Sequence, residues 1–271
     1  MRGLQGKVAI VTGGANGIGR ACCERLAEEG CDVVVADLQE DRGAETVAAV
    51  EAIGRRAIFV ASDATSVESN DSVVDEAVDV FGGVDILVTA AGVAWKNYVS
   101  GDPDAAKAMV EAGRGPVDGI VDCDLDEWAS VIDVNLTGTL LAIRSAGKQM
   151  VAQGRGGSIV TIASIAAKHP EAGTPAYGVS KAGVWMLTKQ AASALASASI
   201  RVNSVGPGFV DTNMTKVIKD LGIEDTVVKL IPMGRFGQPS EIASAVAFLA
   251  SDDASYFTGE LIHPDGGFFT D

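Results

Sequence analysis

The chain has 271 residues, of which 47% are hydrophobic and 21% charged, a balance typical of a globular protein with a substantial core. Its net charge of −15 argues against a nucleic-acid backbone or an anionic membrane surface as partner, because both require basic patches. The cysteines Cys22, Cys23, Cys31 and Cys123 form no C-x-x-C pair and only two histidines accompany them, so we expect no metal site.

The start of the chain lacks the pattern of a signal peptide. The apolar stretch KVAIV is too short for the core of such a peptide and leads directly into glycines. No apolar run approaches the ~20 residues that a membrane-spanning helix needs. Together with the cysteine pattern, these features predict a cytoplasmic protein that does not bind membranes.

Apolar, β-branched runs alternate with helical patterns along the chain. Strands are predicted at 7–12, 32–37, 56–62, 84–92, 157–164, 200–208 and 260–267, and helices at 19–30, 41–54, 72–82, 125–153, 175–198 and 239–251. Strands that are apolar throughout indicate a sheet covered on both faces, and strand–helix–strand order indicates parallel pairing. The sequence therefore predicts an α/β fold, with one doubly wound, Rossmann-type domain over residues 1–271.

Two segments interrupt this alternation. Residues 95–124 form an insertion in which Asp102 can cap a short helix that begins at Pro103. Residues 212–231 carry apolar side chains with the spacing of an amphipathic helix, namely Met214, Val217, Ile218 and Leu221. We expect both segments at the edge of the binding crevice, with residues 208–231 as a lid over the substrate.

The stretch VTGGANGIG follows the first predicted strand and opens the first helix. Its glycines allow a sharp turn and a close approach of the backbone to a ligand, and the helix N-terminus offers unpaired N–H groups to a pyrophosphate. The alternative is a tight turn without a ligand, but the position between strand and helix favours a dinucleotide. The predicted cofactor contacts in this glycine loop are Gly13, Asn16, Gly17, Ile18 and Gly19.

Asp37 ends the second predicted strand, 18 residues after Gly19 and close to the ~20 residues expected for an acidic group on the adenosine ribose. A carboxylate there accepts hydrogen bonds from the ribose hydroxyls and repels a 2′-phosphate. No Arg or Lys occupies 14–18 or 38–41 to offset that repulsion. The pattern favours NAD over NADP, with a helix cap or a turn residue as the alternative role of Asp37.

Further cofactor contacts are predicted where the next strands end. Asp63 is placed to meet the adenine side, although a cap on the following helix is an equally good interpretation. Small residues at the end of the fourth strand let a cofactor lie against the backbone, and close strand packing is the alternative for Gly92. The remaining predicted contacts in these regions are Leu38, Ala64 and Ala91.

The stretch AYGVSK places Tyr177 and Lys181 four residues apart on one face of a predicted helix. A nearby ammonium favours the phenolate and lowers the pKa of a tyrosine, so Tyr177 could exchange a proton with an alcohol or a ketone. Ser164, at the carboxyl end of a predicted strand, would hydrogen-bond the same substrate oxygen. The alternatives are a surface ion pair on the helix and an ordinary strand-end serine.

Asn135 lies in DVNLTG, inside a long helical pattern. Asn, Thr and Gly are poor helix formers, so the stretch predicts a local interruption that frees a carbonyl to hold a water. That water could link Lys181 to solvent as a proton relay. An asparagine on a solvated helix face is an equally good interpretation.

Together these motifs resemble those of the short-chain dehydrogenase/reductase family over essentially the whole chain. The resemblance rests on TGGANGIG, AAG, DVNLTG, YGVSK, VNSVGPGFVDT and GRFGQPSEIA, with Asp37 and Ser164 in the same order. It implies a seven-stranded, mostly parallel sheet and a catalytic tetrad of Asn135, Ser164, Tyr177 and Lys181. It also implies hydride transfer between a nicotinamide and a carbonyl or secondary alcohol.

The resemblance also implies how the later motifs are used. In GPGFVDT, Val210 would lie at the nicotinamide carboxamide and Thr212 near the phosphates, with Pro207 and Gly208 as further cofactor contacts. Tyr177 would contact the cofactor as well, as would Lys181 beside it. Members of the family are usually dimers or tetramers, and we expect a homotetramer in which LIHPDGGF packs across a subunit interface.

Two features depart from the family pattern. Thr89 and Ala90 replace the two asparagines of the usual NNAG, and Thr89 is expected to bond locally. The insertion at 95–124 is longer than in most members, and it could form an active-site rim, extend an interface or decorate the surface.

The residues around the expected crevice indicate the substrate. They are mostly apolar, namely Ile165, Phe209, Met214, Val217 and Leu221, with Lys168, His169 and Glu171 as the polar exceptions. An uncharged, fairly apolar alcohol or ketone is favoured, although a core or interface role for the apolar side chains is as good an interpretation. The rival functions are 3-oxoacyl-carrier-protein reduction, which Asp37 and the net charge disfavour, and a non-catalytic nicotinamide-binding regulator.

Overall fold

The computed structural model describes residues 1–96, 98, 118–170 and 172–269. The helix expected from Pro103, most of the 95–124 insertion and Glu171 lie outside the described residues. All the predicted catalytic and cofactor-binding residues lie within them.

The strands are β1 Val8–Thr12, β2 Asp32–Asp37, β3 Ala57–Ala61, β4 Ile86–Thr89, β5 Gly157–Ile162, β6 Ile200–Val205 and β7 Leu261–Ile262. They form one seven-stranded sheet in the order β3-β2-β1-β4-β5-β6-β7, and every pairing is parallel. Because β1 pairs with both β2 and β4, the strand order reverses beside it, and such a reversal opens a crevice at the carboxyl ends of the strands. The predicted α/β architecture is confirmed.

The helices α1 Gly17–Glu28, α2 Glu40–Ala52 and α3 Val67–Phe81 follow the first strands. After β4 come α4 Asp118–Val121, α5 Leu125–Ile132, a π-helical segment Asp133–Thr137 and α6 Gly138–Gln153. The remaining helices are α7 Pro175–Leu195, α8 Lys216–Asp220, α9 Glu224–Val228 and α10 Pro239–Ala250. Within the described ranges, each helix falls short of the length or the hydropathy that a membrane crossing demands.

The sheet has a hydrophobic core on each face, because successive strand residues point to opposite sides. Val33 and Val35 of β2 belong to the cluster that contains Leu26 of α1 and Val246 of α10. Val34, between them, belongs to the cluster that contains Val73 of α3, together with residues of α6 and α7. This two-sided burial explains why the strand sequences are apolar throughout.

The start of α7 is fixed by its own sequence. The Thr174 hydroxyl accepts a hydrogen bond from the Tyr177 N–H over 3.3 Å, and Pro175 occupies the first helical position, where its missing N–H costs nothing. Tyr177 therefore lies in the first turn of the helix, at the edge of the sheet where β5 ends.

Three predicted helices differ from the structure. The helix at 125–153 is interrupted by the π-helical segment, as the DVNLTG stretch indicated. The single helix expected in 212–231 is two short ones, α8 and α9, because Gly222 adopts the left-handed conformation at φ 67° between them. The third helix begins at Val67, earlier than the predicted 72, because the Ser66 hydroxyl caps it by accepting from the Ser69 N–H.

Candidate active site

The glycine loop between β1 and α1 is packed so closely that side chains are excluded. A Cβ on Gly19 would lie 2.0 Å from the Gly13 carbonyl oxygen, and one on Gly13 would lie 2.6 Å from the Ala91 backbone nitrogen. Gly13 and Gly17 also adopt φ values of 68° and 50°, which favour glycine. The loop therefore brings its backbone against the end of β4 and leaves open space above the first turn of α1.

Asp37 faces this space and also shapes it. Its carboxylate accepts hydrogen bonds from the Ala15 N–H over 3.1 Å and from the Gln39 N–H over 3.0 Å. The turn interpretation of Asp37 is thus correct, and it is compatible with ligand binding because each carboxylate oxygen can accept a further bond. Asp63 does not cap α3, since its carboxylate binds the hydroxyl and the N–H of Thr65.

A cavity of about 350 Å³ lies over the glycine loop. It is lined by predicted cofactor contacts, namely Gly13, Asn16, Gly17, Ile18, Gly19, Asp37, Leu38, Asp63, Ala64, Ala91, Gly92 and Thr212. These residues come from the ends of several strands, and the fold brings them together as the motif order suggests. A larger cavity of about 620 Å³ at the amino ends of the strands, beside Lys7, Asp85 and Arg155, contains none of the predicted site residues.

Arg42 is a charged residue near this cavity that the sequence did not predict. The Arg42 guanidinium donates a hydrogen bond to the side-chain oxygen of Asn16, and the Asn16 amide nitrogen donates to Gln39 over 3.2 Å. Asn16 and Gln39 both line the cavity beside Asp37. The basic group absent from 38–41 is therefore supplied one position later, from the first turn of α2.

A second cavity, of about 320 Å³, adjoins the first. It is lined by further predicted site residues, namely Ser164, Tyr177, Lys181, Pro207, Gly208 and Val210, together with Thr212. Ile18, Ala90, Gly92, Thr212 and Met214 line both cavities, so the two spaces meet at the end of β4. The predicted chemical and phosphate ends of the site are thus contiguous.

Burial controls the ionisation of the two groups that were expected to exchange protons. It raises the pKa of Tyr177, and the hydrogen bond with Ser164 opposes that rise. Burial also lowers the pKa of Lys181 to about 8. The Lys181 ammonium lies 5.7 Å from the centre of the Tyr177 ring and donates to the Ile162 carbonyl over 3.0 Å. Loss of hydration therefore moves the pKa of Tyr177 opposite to the predicted lowering, and the group that opposes this rise is Ser164.

Asn135 is fully buried in the π-helical segment, so the interpretation as a solvated asparagine is wrong. Its amide nitrogen donates to the Val93 carbonyl over 2.9 Å and to the Ser180 hydroxyl over 3.0 Å, and its side-chain oxygen accepts from the Val93 N–H over 2.8 Å. Its backbone carbonyl accepts from the Thr139 hydroxyl over 2.7 Å. Asn135 lines neither cavity, but it ties the chain after β4 to the helix that carries Tyr177.

The substitutions at the end of β4 have different consequences. Ala90 lines both cavities with its small side chain. The Thr89 hydroxyl is buried without a hydrogen-bond partner in the described part of the chain, so the expected local bond is not formed. Thr89 is in register with Thr12 on β1 and Thr161 on β5, in a row of hydroxyl side chains across the sheet.

Sequence reasoning also missed two residues beside the site. Ser180 is fully buried, and its hydroxyl donates to the Tyr177 carbonyl over 2.7 Å. It stands inside the quoted YGVSK motif, so its spacing from the tyrosine could have identified it. Trp95 lines the cavity of Tyr177 from the loop after β4, and no sequence pattern marks it.

Comparisons with known proteins agree with this geometry. A family model described as enoyl-(acyl carrier protein) reductase matches residues 13–269. The 3-oxoacyl-acyl-carrier-protein reductase FabG of Vibrio cholerae is 37% identical over 266 residues, which cover 98% of each chain. The cis-4-hydroxycyclohexanecarboxylate dehydrogenase of Sinomonas cyclohexanicum is 38% identical, covering 97% of this chain and 96% of that protein.

Solved structures extend the likeness to three dimensions. A short-chain type dehydrogenase/reductase from Mycobacterium marinum superposes with a TM-score of 0.83 at 31% identity, covering 99% of this chain and 97% of its own. The family model covers most of the chain. The two relatives are 37% and 38% identical to it over nearly their whole lengths, and the solved structure shares its fold. The chain belongs to the short-chain dehydrogenase/reductase family of oxidoreductases, which act on small molecules with nicotinamide cofactors.

Proposed function

We propose that this protein is an NAD(H)-dependent oxidoreductase that interconverts a secondary alcohol and a ketone, with Tyr177 as general acid/base. The observation that carries the proposal is the junction of the two cavities. Tyr177, Ser164 and Lys181 line one cavity, the glycine loop lines the other, and Gly92 is common to both. Because positions 13 and 19 have no room for a side chain, the loop presents bare backbone to the first cavity, which suits a dinucleotide lying against it.

The residues around the second cavity can handle the proton of such a reaction. When bound, the nicotinamide would supply the hydride acceptor for an alcohol or the hydride donor for a ketone. The Tyr177 phenolate takes the hydroxyl proton of an alcohol, and the Tyr177 phenol returns a proton to the oxygen of a ketone. Ser164 donates a hydrogen bond to that oxygen, and protonated Lys181 favours the phenolate. Asn135 holds the loop after β4 in place, and its carbonyl, which accepts from Thr139, has a second lone pair on which a water would relay protons to Lys181.

The choice of NAD rests on Asp37. Its carboxylate faces the adenosine end of the first cavity, where ribose hydroxyls can donate to it and a 2′-phosphate would be repelled. The Arg42 guanidinium would attract a 2′-phosphate, but it is hydrogen-bonded to Asn16. The Asp37 carboxylate, in contrast, lines the cavity directly. We therefore expect NAD⁺ to bind more tightly than NADP⁺.

A second candidate is 3-oxoacyl-carrier-protein reduction. The name and 37% identity of the Vibrio cholerae relative favour it. The net charge of −15 disfavours it, because an acidic carrier protein docks on a basic surface. A regulator that binds nicotinamide cofactors without turnover is a further alternative, disfavoured by the intact set of Tyr177, Ser164 and Lys181.

One set of assays separates these functions. The purified protein is given NAD⁺ or NADP⁺ with a panel of secondary alcohols, and NADH or NADPH with the matching ketones and a 3-oxoacyl thioester, while cofactor absorbance is followed. We expect turnover of uncharged alcohols and ketones with NAD(H). Turnover confined to the thioester with NADPH would establish the second candidate, and cofactor binding with no turnover would establish the regulator.

We further propose that the protein is a homotetramer. Apolar side chains stand exposed on α7, where Val179 and Met186 keep 49% and 51% of their surface, and an interface would bury them. Light scattering on the purified protein tests this, and a mass of one chain would contradict it.

A further inference from the structure

Trp95 and Tyr98 stand together where the two cavities meet. Trp95 lines the cavity of Tyr177, and Tyr98 lines the cavity of the glycine loop. Their rings are 5.0 Å apart at an interplanar angle of 80°, an edge-to-face contact, and the Tyr98 N–H donates to the Trp95 carbonyl over 3.2 Å. We call this pair the aromatic wall.

The aromatic wall is attached to a fixed point of the site. Val93, two residues before Trp95, exchanges two hydrogen bonds with the side chain of buried Asn135. Lys96 forms an ion pair with Asp126 at the start of α5, over 3.4 Å. An electrostatic effect of Tyr98 also contributes to the raised pKa of Tyr177. The wall therefore has a defined position relative to the reacting groups.

Large branched and aromatic side chains lie on the other walls of the Tyr177 cavity, beside smaller side chains that include threonines. Ile165, Phe209, Val217 and Ile218 line it together with Trp95. Such surfaces offer few directed hydrogen bonds, so they discriminate between substrates by shape. The flat indole and these branched side chains bound one cavity of about 320 Å³. A rigid ring enters such a cavity without losing rotamer freedom, whereas a flexible chain of similar size loses it on binding.

We propose that the aromatic wall makes this site selective for secondary alcohols and ketones whose reacting carbon belongs to a ring. Trp95 is the specificity-determining residue, because it presents its ring to the substrate side. Tyr98 is a positioning residue that holds the indole from the cofactor side. This inference rests on the proposed alcohol and ketone chemistry, whose substrate class it narrows.

The test compares cyclohexanol with 2-hexanol on wild type, Trp95→Phe and Trp95→Ala. Trp185→Ala is the matched control, because Trp185 contacts Lys189 at 3.9 Å and lines neither cavity within the described residues. We measure kcat/KM with NAD⁺, and also the affinity of each alcohol by ligand-observed NMR, which needs no turnover. Circular dichroism verifies that each variant is folded.

We expect wild type to prefer cyclohexanol, and Trp95→Ala to reduce kcat/KM and affinity for cyclohexanol by about tenfold or more, with 2-hexanol little affected. Trp95→Phe should retain part of the preference, and Trp185→Ala all of it. Equal losses for the two alcohols, or a wild type without preference, would overturn the role of the wall. A ring preference in the NMR data without turnover of either alcohol would support the wall and contradict the proposed oxidoreductase chemistry.

Discussion

The amide of Asn135 donates a hydrogen bond to the Ser180 hydroxyl, which in turn donates to the carbonyl of Tyr177. Asn135 and Ser180 are both fully buried, so these bonds do not compete with water. Through the same amide, Asn135 holds Val93 in the chain that leaves β4. Asn135 thus links the backbone at Tyr177 to the chain that lines the cofactor cavity after β4.

The first prediction concerns Ser180→Ala. The substitution leaves one N–H of Asn135 unpaired in the interior, so we expect the free energy of unfolding to fall by about 1–3 kcal/mol. Because the helix start loses its tie to Asn135, kcat should fall while the affinity for NAD⁺ stays unchanged. Ser180→Thr keeps the hydroxyl and should recover part of kcat. Denaturant unfolding and steady-state kinetics measure both effects, and a wild-type kcat in Ser180→Ala would argue against positioning.

Tyr177→Phe removes the proposed general acid/base and little else. We expect kcat to fall by at least about 100-fold, the contribution typical of a positioned proton-transfer group. Calorimetric titration should give an unchanged dissociation constant for NAD⁺. Tyr256→Phe is the control, since Tyr256 is fully exposed at the opposite edge of the sheet. Retained turnover in Tyr177→Phe would remove Tyr177 from the mechanism.

The lowered pKa of Lys181 makes stability depend on pH. Burial holds its pKa at about 8, against an ordinary value of 10.5, so between these values the unfolded chain binds more protons than the native one. The free energy of unfolding should therefore rise with pH from about 8 to 10.5, by on the order of 3 kcal/mol relative to Lys181→Met. Below pH 8 both states are protonated and the contribution is constant. Identical pH dependence in the two proteins would contradict this.

Arg42 and Asp37 should compete over cofactor choice. Asp37→Ala removes the carboxylate that repels a 2′-phosphate and leaves Arg42 nearby, so we expect NADP⁺ to bind about tenfold more tightly. NAD⁺ should bind more weakly, because the ribose loses its acceptor. Adding Arg42→Ala should remove the part of this gain that comes from the guanidinium. Calorimetry with each cofactor in a separate titration measures these affinities. A double variant that still binds NADP⁺ as tightly as Asp37→Ala would contradict a role of Arg42 in cofactor choice.

The unpartnered hydroxyl of Thr89 should be destabilising. Thr89→Val replaces it with a methyl of similar shape, and we expect the free energy of unfolding to rise by about 1 kcal/mol. Thr161→Val is the matched control, because Thr161 lies in register on β5 and its hydroxyl bonds Thr188 and Ser204 over 2.8 and 2.9 Å. That variant should lose stability. A loss in Thr89→Val as well would indicate that the Thr89 hydroxyl binds a buried water.

The sequence predicted the parts of the site that depend on local spacing. The glycine loop, Asp37 and the Tyr177–Lys181 pair each follow from the period of one helix or the end of one strand, and the fold brings them together where parallel strands end. Arg42 lies one position beyond 38–41, in the first turn of α2, and spacing along the chain does not show its hydrogen bond to Asn16. The direction of the Tyr177 pKa was missed because spacing shows the nearby ammonium but not the loss of hydration. Trp95 lies in an irregular loop, where side chains follow no helical or strand period.

The π-helical segment has a consequence for how this chain can change over evolutionary time. The Gly138 N–H reaches back to the Asp133 carbonyl, five positions earlier, so the turn contains a residue more than a regular helix would accommodate. Deleting a neighbour of Asn135 in this segment would restore a regular α-helix and rotate Asn135 relative to Val93. Such a deletion would therefore break the bonds between these two residues, which substitutions of the neighbours leave in place.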